Sequence, residues 1–169
     1  MTVAAVILAA GAATRFGSPK QRLLLAPVLE RVRASSVDEV VVVIGAYQVE
    51  TDARTVKCAE WERGPGASLR CGLEALGAEV EAAVVVLADG PSLSPVAVDR
   101  VLEAWRSDSA EIVAATYGGE RGHPLVVARS AWKRIPDEGL RTLPFEPVPC
   151  DDLGEPGDVD TLGDIAPEP

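Results

Sequence analysis

The 169-residue chain has only three cysteines and one histidine, and each scarcity excludes something. Cys58, Cys71 and Cys150 form no C-x-x-C pair, so the sequence carries no zinc spacing and no disulfide framework, and reduced structural thiols are expected. No apolar run reaches the ~18 residues of a membrane-spanning helix. The first thirteen residues are apolar and end small, as a signal peptide does, but they lack a basic leading region, and a cytoplasmic protein is expected. Basic residues are outnumbered, 16 Lys and Arg against 26 Asp and Glu, for a net charge of −10. That balance speaks against nucleic acid and anionic membranes as partners, since both select a basic surface. It leaves a small nucleotide open, because a local Arg/Lys loop with a divalent cation overrides the global sign. Two well-known phosphate loops are also missing. Gly11 and Gly17 are too far apart for a Walker A loop and Lys20 follows Pro19, while Gly11-Ala12-Ala13 does not supply G-x-G-x-x-G.

What is present begins at the first residues. Val6-Ile7-Leu8-Ala9-Ala10 is a β-branched apolar run that reads as a buried first strand. It passes into Gly11-Ala12-Ala13-Thr14-Arg15-Phe16-Gly17-Ser18-Pro19-Lys20, a loop of small residues with one Arg and one Lys. Small residues let backbone N–H groups approach a ligand, and the two cations suit phosphate oxygens. After the first strand of an α/β sheet, such a loop stands where nucleotide phosphates sit.

Alternating apolar runs and amphipathic stretches predict a doubly wound, Rossmann-like α/β fold with a mostly parallel sheet. Strands are expected at residues 4–9, 39–44, 55–58, 82–88, 112–117, 124–127 and 145–149. Helices are expected at 24–34, 67–76, 95–105 and, as a short one, 130–135. In the first helix Leu25, Val28, Leu29 and Val32 share a face. Ser94 and Pro95 are an N-cap and a first helical position for the third. Residues 118–122 join the fifth and sixth strands as a hairpin or as a longer loop. The acidic residues 151–164 admit two readings, a mobile extension or part of a site.

Asp89 directly follows the 82–88 run and precedes Gly90-Pro91. Ligands of open α/β sheets bind outside the carboxyl ends of the strands, where a carboxylate can hold Mg²⁺. Asp-Gly-Pro is equally good turn chemistry, so both readings stand at this point. Asp158 and Asp160, spaced i, i+2, share one side of an extended segment and are otherwise solvated acids of the tail. Gly64-Pro65-Gly66-Ala67-Ser68 opens a helix, whose N-terminus favours anions. His123, in Arg121-Gly122-His123-Pro124, is the only imidazole available as a general base.

The pattern L-A-A-G-x-x-x-R-F-G-x-P-K, the Asp89–Pro91 turn, Trp61 three residues before Gly64, Ser68-Leu69 and Asp158-Val159-Asp160-Thr161 together resemble the MobA-like NTP transferases, and most closely the molybdenum-cofactor cytidylyltransferases. The resemblance runs from Val3 to about Ile165 and implies one nucleotidyltransferase domain over residues 1–169, of the nucleotide-diphospho-sugar transferase type. It implies transfer of CMP or GMP from an NTP to a phosphorylated acceptor, molybdopterin or molybdenum cofactor, with Mg²⁺ and release of pyrophosphate. Arg15, Lys20 and Asp89 would be catalytic. Leu8, Ala10, Gly11, Arg15, Lys20 and Ser68 would bind nucleotide, with Ala10, where guanylyl-type members carry Gly, favouring CTP. Asp89 and Asp160 would hold the metal, and His123 and Pro124 would face the acceptor without catalysing. Residues 137–141 also resemble an acceptor-side segment. Three departures are visible: residues 21–29 look shortened, Cys58 stands where members often carry Asn, and Leu162-Gly163-Asp164 replaces Pro-Glu-Asp. The alternatives are a nucleotidyltransferase for a sugar, polyol or lactyl phosphate, or a non-catalytic nucleotide or cofactor carrier with a molybdoenzyme partner.

Overall fold

The structure, a computed structural model, describes residues 2–10, 21–46, 48–108 and 110–157, with the side chains of 21–24 left aside. Seven strands form one sheet: β1 (Thr2–Ala9), β2 (Glu39–Ile44), β3 (Arg54–Lys57), β4 (Val80–Leu87), β5 (Ile112–Tyr117), β6 (Glu120–Ala128) and β7 (Glu146–Pro149). Their order across the sheet is β3-β2-β1-β4-β6-β5-β7, and every pairing is parallel except the two made by β6. Three helices cover it: α1 (Gln21–Arg33), α2 (Pro65–Glu74) and α3 (Pro95–Ser107). The expected mostly parallel α/β architecture is therefore present.

The Val-rich strands follow from coverage on both faces, which removes the polar alternation of a half-exposed strand. Successive residues still point to opposite sides. Val3, Ala5 and Ile7 of β1 join Val84 and Val86 of β4 under α1 and α3, which contribute Leu25, Val28, Leu29, Val32, Val98, Val101 and Leu102. Ala4, Val6, Val41, Val43 and Val85 face the other way, under Leu69 and Leu73 of α2 and Trp132 of a short 3₁₀ helix, Arg129–Arg134. Helix α2 lies close to the sheet because Gly72 has no side chain: a Cβ there would stand 2.7 Å from Val43 Cγ2 and 2.9 Å from Val6 Cγ1.

Several boundaries differ from the sequence reading. Helix α1 starts at Gln21, so the segment that reads as a shortened loop is already helix. Gln21-Arg22-Leu23-Leu24-Leu25 is a run of good helix formers, which explains the earlier start. Gly118 and Gly119, with φ of 60° and 82°, turn β5 directly into β6. Positive φ at both central residues is what a two-residue hairpin turn requires. The hairpin is therefore tight, and residues 120–123 lie within β6 instead of in a loop. Ser94 caps α3 as expected, its Oγ accepting from Val96 N at 3.2 Å, with Pro95 at the first helical position.

One expectation is corrected outright. Cys58 and Cys71 form a disulfide, with Cα atoms 5.7 Å apart, and Cys150 alone is a free, buried thiol. Cys58 follows β3 and Cys71 lies on α2, so the fold brings together two cysteines that share no recognisable motif.

Candidate functional site

The carboxyl ends of β1, β2, β4 and β5 open on one edge of the sheet, and the start of β6 joins them there. At the exit of β1, Ala10 is buried beside Gly45, which follows β2. Trp61 closes over this pair. A Cβ on Gly45 would lie 2.5 Å from Trp61 Cγ and 2.6 Å from the Ala10 carbonyl, so the glycine is what admits the indole. Gly64 (φ 133°) caps α2 and Pro65 starts it, placing the buried Ser68 in its first turns. The residues read as nucleotide-binding, Leu8, Ala10 and Ser68, thus belong to elements that meet at this edge.

The segment after Pro136 clamps the start of α2. Gly66 N donates to the Asp137 carbonyl at 2.8 Å. Asp137 is paired with Arg70 and, at 3.1 Å, with Arg63, and these cations hold its carboxyl below the usual range. Its carboxylate is therefore committed to α2. Cys58 is buried and its sulfur is taken up by the disulfide with Cys71.

At the end of β4, the Leu8 carbonyl accepts from Ala88 N at 3.0 Å, which fixes Asp89 beside the β1 exit. Asp89 is partly exposed, in a turn where Gly90 N donates to Leu87 O at 3.3 Å. The tail packs on this turn. Ser92 N donates to Pro156 O at 2.9 Å, and a Cβ on Gly90 would stand 3.2 Å from Pro156 Cβ and 3.3 Å from Gly157 O. Asp152 grips Arg100 at 2.7 and 3.0 Å, and Asp151 accepts from Gly118 N. Over residues 151–157, then, the acidic tail is part of the site wall.

Between the tail and the β5–β6 hairpin lies a cavity of about 340 Å³, lined among others by Leu87, Gly90, Tyr117, Arg121, His123 and Pro156. Tyr117 donates its hydroxyl to the His123 carbonyl at 2.7 Å, and burial raises its phenol to about 12. His123 is partly buried. Desolvation first, and then the Arg121 charge, lower its imidazole to about 4, against an opposing pull from Asp89. It is therefore neutral at pH 7. Pro124 follows it across a cis peptide bond. Arg121 was legible only as a neighbour of His123. Within β6 the two are i, i+2 and share a face, a signal hidden by starting the strand at residue 124.

The structure brings Leu8, Ala10, Ser68, Asp89, His123 and Pro124 to one sheet edge. Gly11, Arg15, Lys20, Asp158 and Asp160 lie outside the described residues. Among the described residues no three His, Cys, Asp or Glu side chains cluster to hold a metal. A single carboxylate at this edge still suits Mg²⁺, which takes one or two protein carboxylates and completes its shell with phosphate oxygens and water.

The family profile described as the MobA-like NTP transferase domain matches residues 5–142, and the chain belongs to that family. No curated protein matches it. Among solved structures it is similar to Rv0371c from Mycobacterium tuberculosis H37Rv, at 26% identity over 97% of this chain and 96% of the other, with a TM-score of 0.80. A second structure of that protein is a complex with manganese, at 26% identity, the same coverages and a TM-score of 0.77. A homologue from Mycobacterium sp. strain JC1 is 28% identical over 96% and 92% of the two chains, with a TM-score of 0.81. The fold is shared with a CMP:2-keto-3-deoxy-manno-octonic acid synthetase complexed with CTP, at 13% identity over 96% and 95%, with a TM-score of 0.75.

Proposed function

We propose that this MobA-like NTP transferase moves a nucleotidyl group, CMP in the favoured case, from an NTP to a phosphorylated small molecule, with molybdopterin the favoured acceptor. The observation that carries the reading is the placement of Asp89. It ends β4, between the exit of β1, which leads into residues 11–20, and β6, which bears His123. Arg15 and Lys20 are assigned to the triphosphate, Leu8, Ala10, Gly11 and Ser68 to the nucleoside, and His123 and Pro124 to the acceptor.

Asp89 and Asp160 are assigned to Mg²⁺, which when bound polarises the α-phosphoryl group and neutralises phosphate charge. Asp160 follows Gly157 by three residues in the sequence, and Gly157 packs on the Asp89–Gly90 turn. An oxygen of the acceptor phosphate attacks the α-phosphorus, the bond from that phosphorus to the β-phosphate bridging oxygen breaks, and pyrophosphate leaves. The nucleophile is already ionised, so no general base is required, in keeping with a neutral His123 beside it. Lys20 and Arg15 offset charge on the leaving pyrophosphate, and the protein's remaining task is alignment. We assign this activity to one domain, residues 1–169, acting in the cytoplasm.

The test is pyrophosphate release with each of the four NTPs and Mg²⁺, with and without molybdopterin or molybdenum cofactor. The expected result is release with CTP that requires the acceptor and is lost in Asp89→Ala. Nucleotide binding with no release for any NTP, even with sugar, polyol or lactyl phosphates as acceptors, contradicts transfer and favours a carrier.

A further inference from the structure

Arg121 is the cation of the cavity that the assignments above leave unused. It is partly buried on β6, and its Nη1 atom is fully buried with no hydrogen-bond partner among the described residues. A buried donor without an acceptor is disfavoured, and a buried charge without a counter-charge more so. Among the described residues no carboxylate forms an ion pair with Arg121, although Glu120 and Glu155 line the same cavity. Its electrostatic neighbour is a second guanidinium, Arg141, which together with burial lowers its affinity for the proton. A guanidinium with a buried, unpartnered N–H, in like-charge coupling to Arg141 and in no ion pair with the carboxylates of the same cavity wall, suits an anionic ligand.

Strand order says which anion. β1 lies on one side of β4 and β6 on the other. The nucleotide-assigned elements leave from β1 and β2, whereas Arg121 stands across Asp89, two strand spacings or roughly 10 Å from β1. Arg121 and Asp89 act on the His123 imidazole with opposite sign, so both charges lie within electrostatic reach of it. Glu120 and Glu155 at the cavity wall disfavour a polyanion there, and a single phosphate fits better than a triphosphate. The planar guanidinium matches two oxygens of a phosphate monoester in a way an ammonium does not.

We infer that Arg121, backed by Arg141, binds the phosphate monoester of the acceptor in the cavity between the β5–β6 hairpin and residues 155–157, and so sets the requirement for a phosphorylated acceptor. This rests on the nucleotidyl-transfer reading. Arg121 holds the monoester with one oxygen left to face the nucleotide side of Asp89.

Phenyl phosphate is the probe, titrated calorimetrically into the full-length protein, free and saturated with Mg²⁺ and α,β-methylene-CTP, alongside titration of CTP itself. Arg121→Gln is expected to weaken phenyl phosphate roughly 30-fold, the scale of a charge-assisted pair, and to leave CTP affinity within about twofold. Arg121→Lys keeps the charge but not the fork and is expected to recover part of the loss. Arg141→Gln is expected to weaken the probe less than Arg121→Gln does. If Arg121→Gln fails to fold, a several-fold loss in Arg121→Lys carries the test. Equal binding of phenyl phosphate by wild type and both Arg121 variants overturns the inference, as does a wild type that does not bind it. A loss of CTP affinity instead assigns Arg121 to the triphosphate and overturns it too. Binding of phenyl phosphate through Arg121 by a protein that binds no nucleotide supports the anion site and contradicts the transfer reading.

Discussion

Asp89 and Ser68 stand just past the end of β4 and in the first turns of α2, boundaries that the apolar runs and Gly-Pro-Gly mark in the sequence, whereas His123 lies within β6. Asp89 stops an apolar run, and the carboxyl end of a parallel strand is where ligands of open α/β sheets bind. Lys20 immediately precedes α1, and Lys20→Ala is expected to cost about 2–4 kcal/mol of transition-state stabilisation, a 10²–10³-fold fall in kcat/KM with folding intact. Unchanged turnover would contradict its assignment. His123 makes a different prediction. Its imidazole lies near 4 instead of the ordinary 6.5, so the native protein binds fewer protons than the unfolded chain between those values. The associated stability is complete above about pH 6.5 and is lost progressively as the pH falls to about 4, by up to about 3 kcal/mol. Urea unfolding of wild type and His123→Asn across this window isolates the effect, and parallel pH profiles for the two proteins would contradict it. Arg121 is harder to read, because its significance depends on its having no ion-pair partner among the described residues.

At the scale of elements, long periodic segments are legible and their connections less so. The face of α1 made by Leu25, Val28, Leu29 and Val32 is buried as the spacing requires. The hairpin turn is not legible because Gly118-Gly119-Glu120-Arg121-Gly122 contains three glycines and the sequence does not say which two turn. The disulfide escaped for a related reason. Cys58 and Cys71 are 13 residues apart on elements of different type, and they meet because α2 folds back over β3. Closing a loop of that length is worth about 3 kcal/mol in the chain-entropy account. Reduction, or Cys71→Ala, is expected to lower stability by about that amount. Thiol titration of the denatured protein should find one reactive thiol before reduction and three after, and three before reduction would contradict the pairing.

For the whole molecule, composition and patterning lead to the α/β class but not to the order of the strands. A Val-rich run says that a strand is covered on both faces and nothing about its neighbours. That β6 is antiparallel and sits beside β4 depends on pairings between distant residues, such as Val85 with Leu125. Yet this placement builds the cavity and sets Asp89 between the nucleotide-assigned and acceptor-assigned halves of the edge. No helix among the described residues is long and apolar enough to cross a membrane. The net charge of −10 makes a local cation set at this edge the more necessary for any phosphate ligand. The most direct test of the account is manganese(II) binding, followed by electron paramagnetic resonance in the presence of CTP, for wild type and Asp89→Asn. A site that depends on CTP in the wild type and is weakened at least roughly 30-fold in Asp89→Asn is the predicted result. Equal manganese affinity in the two proteins, with CTP bound to both, would contradict the central claim that Asp89 anchors a metal–nucleotide site.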